Sequence, residues 1–231
     1  MRYTRLLLIA WVLAIVGFTA AAVFTDVLPG DVEASLWLVH KGGKVGQALR
    51  AVAWIGQADI LAFGAVGGGI LLLRKRWWEA AGLLLLAGTA LVLPEALKDM
   101  IARPRPSPHL IRILGTNDGY SYPSGHVYFA MAILGGLAAF ARPMLGNRWL
   151  AWTFQLAMVG LITDIGLSRM YRGAHWASDV IGTLLIAGLL VYAVAWGVRR
   201  LNAAKPSLRL RRHKRTPQTR KSEGQETGST R

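Results

Sequence analysis

The sequence contains no cysteine, so it has no disulfide framework, no thiolate nucleophile and no Cys-ligated metal, and any nucleophile must come from another residue type. It is also short of acid: 12 Asp and Glu stand against 27 Lys and Arg, a formal charge of +15. Such an excess of base suggests nucleic acid at first sight. However, 11 of the 27 cations lie in the last 34 residues, no recognition motif accompanies them, and a nucleic-acid partner is not expected. What is abundant is apolar surface. At 53% hydrophobic and 17% charged residues, the chain is too apolar for an ordinary soluble domain of 231 residues and reads as a membrane protein.

Residues 6–24 carry no charge and follow Arg2 and Arg5, long enough for a first, uncleaved span. Residues 26–50 mix Asp31, Glu33, Lys41 and Lys44 with Leu36 and Trp37, a pattern expected of an interfacial helix and loop lying on the membrane. Further spans are expected within 51–73, with Asp59 near its outer end, and at 77–97, about 124–140, 149–167 and 180 to about 198. Four prolines between Pro104 and Pro123 make residues 99–123 a long structured loop. The expected fold is therefore an all-α membrane protein, a six-transmembrane-helix bundle over residues 1–200. A basic, disordered cytoplasmic tail over 201–231 is expected to contact anionic lipid.

With both termini inside, 18 of the 27 cations fall on the inner side, and the positive-inside rule places both ends in the cytoplasm. The loop 98–123 and the segment 168–179 then share the outer face, which puts the active site at the outer membrane interface, facing the periplasm or exterior of a plasma (inner) membrane.

Three clusters on that face carry chemistry. In the first, Lys98 at a helix end precedes Arg103-Pro104-Arg105-Pro106, a segment suited either to clamping phosphate or to snorkelling toward headgroups. In the second, Pro123-Ser124-Gly125-His126 opens a span. A capping Ser and a Gly let backbone N–H groups approach an anion, and His126 can donate a proton to a leaving oxygen. The third is Ser168-Arg169 through His175 to Asp179. A His four residues before an Asp can share a helical face, the carboxylate taking the imidazole N–H and leaving the other nitrogen as nucleophile or base. Arg169 and Arg172 offer planar forks for a tetrahedral oxyanion. Arg103 and Arg172 are either accessory cations for a diphosphate or second anionic group or simply solvent-facing arginines. Asp164 and Glu95 are expected either to hold Arg169 and Lys98 as counter-ions or simply to reach the interface.

Together the three clusters resemble the type 2 phosphatidic acid phosphatase family of membrane lipid phosphatases. Lys98 with Arg105-Pro106 matches its first motif, Pro123 to His126 its second, and Ser168-Arg169, His175 and Asp179 its third. The resemblance implies that His175 attacks phosphorus to give a phosphohistidine, Asp179 orients it, and His126 protonates the departing group. It further implies that Lys98, Arg105, Ser124, Gly125 and Arg169 bind phosphate, with no cofactor and no metal. The expected partner is a membrane lipid phosphate: polyprenyl pyrophosphate, phosphatidylglycerophosphate or phosphatidic acid, with lipid A phosphatase or phosphotransferase activity as an alternative. A non-catalytic lipid carrier would keep the spans but have no use for the His-Asp pair beside a second His.

Overall fold

The computed structural model describes residues 2–40, 43, 46–47, 49, 56–115 and 118–204. The basic tail beyond residue 204, the start of the second expected span at 51–55 and Asn117 lie outside the described residues.

The two ends of the described chain are long apolar helices. Helix α1 (Arg2–Phe24) exposes Leu7, Leu13 and Val16, as a helix facing hydrocarbon does. It is tied down at two points: Trp11 Nε1 donates to the Leu185 carbonyl at 3.0 Å, and Thr19 Oγ1 lies 3.1 Å from the Tyr122 hydroxyl. Helix α2 (Asp31–His40) departs from the expectation of a segment lying on the membrane. Asp31, Ser35 and Leu38, spaced along one face, are buried, and Leu38 packs with Val127, Met170, Tyr171 and Val180. Its acidic start is drawn inward by a buried arginine, described below, which an amphipathic pattern cannot reveal.

Helix α3 (Gln57–Leu73) begins at Gly56, whose N–H bonds to Asp59 Oδ2 at 2.8 Å, so Asp59 caps the helix start. Helix α4 (Trp77–Ile101) ends at Ala102 with φ 54, carrying Lys98 on its last turn. Helix α5 (Gly125–Ala139) is the axis of the bundle and is buried on nearly every side. Its Tyr128, Phe129, Ile133 and Leu137 pack against Leu83 and Leu86 of α4 and, on the other flank, Ile162, Ile165 and Val191. Glycine permits the closest approach: a Cβ at Gly67 would lie 2.2 Å from Leu137 Cδ2, an overlap that would cost about 1–3 kcal/mol. After the short α6 (Ala141–Leu145), Asn147 caps α7 (Arg148–Tyr171) by accepting from Trp149 N and Leu150 N at 2.9 and 3.1 Å. Helix α8 (Ala177–Ala204) closes the bundle.

Four of these helices, α1, α4, α7 and α8, are long and apolar enough to cross a membrane. Helices α3 and α5 have 17 and 15 residues. They reach about 25 and 22 Å, less than a hydrocarbon core of about 30 Å. The helices around α5 also run past the apolar stretches seen in sequence, because Lys98, Ser168, Arg169 and Asp179 ride on their ends.

Candidate active site

Three chain segments meet at one end of the bundle: the end of α4 with the loop after it, the start of α5, and the turn between α7 and α8. The turn is shaped by local hydrogen bonds. Gly173 N donates to Met170 O at 2.9 Å, Ala174 N to Arg169 O at 3.0 Å, and Leu114 N of the long loop to Arg172 O at 2.8 Å. Gly173 has φ 66, and a Cβ there would meet the Arg112 carbonyl at 2.7 Å, so only glycine fits.

This turn delivers His175, 4% exposed, ahead of α8 and not on it. The shared helical face expected for His175 and Asp179 is therefore replaced by a loop-to-helix arrangement. Asp179 sits in the first turn of α8 and accepts Trp176 N at 2.9 Å. The imidazole Nδ1 is 2.7 Å from the Ser121 carbonyl and 3.8 Å from Asp179 Oδ2. The acceptor of the ring N–H is thus a backbone oxygen, and Asp179 contributes nearby charge instead of the orienting hydrogen bond. With Nδ1 donating, Nε2 carries the lone pair, 3.5 Å from Arg105 Nη1. Burial pushes the imidazole below its ordinary pKa; Arg105 acts in the same direction, and Asp179 and the Ser121 carbonyl oppose. The ring is therefore neutral at neutral pH, the form a nucleophile requires.

Arg105 is held by carbonyls: Nη1 donates to Ala174 O at 2.8 Å, Nη2 to Asp118 O at 2.9 Å and Nε to Gly119 O at 3.0 Å. Arg103, two residues earlier, goes elsewhere. It is 1% exposed and reaches Asp179 Oδ1 at 2.5 Å, Asp31 Oδ2 at 3.0 Å and Ser178 Oγ at 2.8 Å. The accessory-cation reading of Arg103 finds no support in this placement: with the Asp26 carbonyl at 3.2 Å, four of its five N–H groups are engaged inside the protein. Asp31 is itself saturated, accepting Leu28 N at 3.0 Å and Ser178 N and Oγ at 2.9 and 2.7 Å. Asp179 further accepts the Ser121 hydroxyl.

The start of α5 is clipped to α8 by Thr183, whose Oγ1 accepts Ser124 N at 2.9 Å and donates to Asp179 O at 2.6 Å. Ser124 Oγ is buried without a hydrogen-bond partner among the described residues, an arrangement that leaves a donor for a ligand. A Cβ on Gly125 would lie 3.7 Å from Lys98 Nζ and 3.8 Å from Glu95 Oε1, which brings the first two clusters together. Glu95 pairs with Lys98 at 2.8 Å. His126, on the first turn of α5, feels the charges of Arg169, His175, Lys98 and Arg172. Arg169 is buried on the last turn of α7, its Nε 3.4 Å from Ser168 Oγ, whereas Asp164 is exposed. Arg172 is half-buried beside Gly115.

Sequence reasoning missed Asp31, Ser121, Ser178 and Thr183. Asp31 follows Pro29-Gly30 and looks like an ordinary helix-start acid, and no one-dimensional signal links it to residue 103. Among the described residues, no three His, Asp or Glu side chains converge as metal ligands would.

Known proteins resemble this arrangement. Phosphatidylglycerophosphatase B of Bacillus subtilis (strain 168) is 30% identical over 115 residues, covering 48% of this chain and 54% of that protein. Phosphatidylglycerophosphatase B of Escherichia coli (strain K12) is 29% identical over 105 residues, covering 45% of this chain and 39% of its own. The chain thus spans about half the length or less of these curated relatives. A crystal structure titled the first transmembrane PAP2 type phosphatidylglycerolphosphate phosphatase from Bacillus subtilis shares the fold. Its TM-score is 0.73 at 23% identity, over 83% of this chain and 96% of that one. The sequence profile of the PAP2 superfamily spans residues 79–203, more than half of the chain and all three clusters, and the chain belongs to that superfamily.

Proposed function

We propose that the protein is a membrane lipid phosphatase that hydrolyses a phosphate monoester or pyrophosphate headgroup through a phosphohistidine. The observation that carries this reading is the His175 ring: Nδ1 is fixed on the Ser121 carbonyl, and Nε2 is left beside Arg105. In the first step the Nε2 lone pair attacks phosphorus, the bond to the leaving oxygen breaks, and His126 supplies that oxygen with a proton. In the second, His126 takes a proton from water, the water oxygen bonds phosphorus, and the P–N bond breaks to release phosphate and neutral His175. Lys98, Arg105, Arg169, the Ser124 hydroxyl and the Gly125 N–H hold the equatorial oxygens. Fixed dipoles and cations of this kind stabilise the spread charge without a metal ion.

The chain crosses the bilayer six times, with α5 enclosed by longer neighbours and α3 packed beside it, and the site opens at the outer interface of the plasma membrane. A lipid headgroup there reaches His175 while its chains stay between helices. The names of the curated relatives favour phosphatidylglycerophosphate as substrate. Purified protein should release phosphate from phosphatidylglycerophosphate faster than from phosphatidic acid or polyprenyl pyrophosphate, in the presence of EDTA, with inhibition by vanadate. Failure to release phosphate from any of the three overturns the reading. In the cysteine-free chain, an impermeant maleimide applied to intact cells should label His109→Cys and spare Lys75→Cys. The reverse pattern inverts the topology.

A further inference from the structure

At the end of the bundle remote from His175, a second site is built from cations. Helix α3 starts beside the catalytic end, with Gln57 Nε2 3.3 Å from a Cβ placed on Gly125, and ends about 25 Å away at Arg74. The turn into α4 is tight. Lys75, with φ 56, donates to Leu72 O and Arg76 N to Leu71 O, both at 2.8 Å, so the three consecutive cations Arg74, Lys75 and Arg76 sit on one short loop. Facing it, α6 ends at Gly146 with φ 76; a Cβ there would lie 3.0 Å from Arg74 Nη1, so glycine lets the guanidinium rest against the backbone. Arg74, Arg76, Arg142, Pro143 and Gly146 line an open depression of about 620 Å³.

Its charge is only partly compensated. The nearby acid, Glu79, is buried and already shared by Asn202 Nδ2 at 3.1 Å and Arg76 at 4.0 Å. Among the described residues, Arg74 and Arg142 have no ion pair. Beside the depression, an almost wholly apolar groove of about 710 Å³ runs between α3 and α4 from Leu72 and Trp77 to Ile133. Leu72 and Trp77 bracket the arginine turn, so the groove opens where the guanidinium groups gather.

We propose that this end of the protein binds an anionic phospholipid, its headgroup phosphate among Arg74, Arg76 and Arg142 and an acyl chain in the α3–α4 groove. An inorganic anion would use only the depression, and a second protein copy only the groove. An anionic lipid matches both, and its headgroup lies in the opposite leaflet from the proposed substrate. The site is independent of the phosphatase chemistry.

The test uses full-length protein purified in detergent and stripped of lipid, with phosphatidylglycerol or phosphatidylcholine added and bound lipid counted by native mass spectrometry. Phosphatidylglycerol should bind at least about tenfold more tightly than phosphatidylcholine, a step of about 1.4 kcal/mol. Arg74→Gln with Arg142→Gln should abolish that preference, and Arg74→Lys with Arg142→Lys should retain most of it. Gly69→Phe fills the groove from a position whose Cβ meets nothing within 4 Å, and should weaken phosphatidylglycerol binding with the arginines intact. Equal binding of the two lipids overturns the proposal. So does competition by millimolar inorganic phosphate with no effect of Gly69→Phe, which would mark a simple anion site, and so does loss of a dimer in Gly69→Phe.

Discussion

The two ends of the bundle treat positive charge in opposite ways. At the catalytic end, Arg103 is buried and locked between Asp31 and Asp179, and Arg105 is pinned by three carbonyls. At the other end, Arg74 and Arg142 are exposed and make no ion pair among the described residues. Arg103 spends its charge on two buried carboxylates within the protein. Arg74 and Arg142 keep theirs available, as the proposed lipid site requires.

Four measurements break or sharpen this contrast. The largest effect belongs to the nucleophile. His175→Ala should lower turnover by at least about 10³-fold, and Asp179→Asn should leave a measurable trace, because the nucleophile remains while its supporting charge is gone. Arg142→Gln should leave turnover unchanged. Substantial phosphate release by His175→Ala would remove the covalent mechanism.

Next comes the buried ion network. Asp31→Ala leaves Arg103 with one carboxylate in a dry site and should cost about 3–5 kcal/mol, seen as a lower thermal midpoint in detergent, whereas Arg142→Gln should stay within about 0.5 kcal/mol. Equal, small shifts in the two variants would erase the distinction between the ends. Third, Ser124→Ala removes a hydroxyl that has no partner among the described residues. It should lower kcat/KM by about 10²-fold with the thermal midpoint preserved; a stability loss without a kinetic one would assign Ser124 to packing.

The smallest effect concerns pH. Because the folded-state pKa of His175 is lowered by burial, the ring is neutral when folded and charges more readily when unfolded. Its contribution to stability is present above the ordinary value of about 6.5 and is lost as pH falls through the folded value. The wild-type thermal midpoint should therefore drop by about 2–4 °C more than that of His175→Gln between pH 7 and 5, and parallel curves would contradict the assignment.

The long helices are legible in the sequence because a run of apolar residues has few other uses. The candidate cluster stands out because His175, Asp179, His126 and Lys98 are costly in apolar surroundings. What could not be read is direction. Arg103 and Arg105 flank one proline and look equivalent, yet one is buried among carboxylates and the other lies beside His175. The same limit hid α2, whose Asp31 meets residues 72 and 147 positions away in sequence. It also produced the expectation that Asp179 takes the imidazole proton, since a backbone carbonyl such as that of Ser121 leaves no trace in residue identity.

Helix α5 bears on how the molecule is made. At 15 residues it is the shortest of the bundle's major helices, and its start is fixed by a hydroxyl from Thr183, nearly sixty residues downstream. A ribosome delivers α5 well before that hydroxyl exists, so the Ser124-Gly125-His126 turn is assembled only when the last helix has been synthesised and inserted. In the proposed function, the phosphate-binding turn is then complete only once α8 has been made. In a chain stopped at residue 172, Tyr128→Cys should react with an added thiol reagent, and in the full chain the same position, fully buried, should be protected.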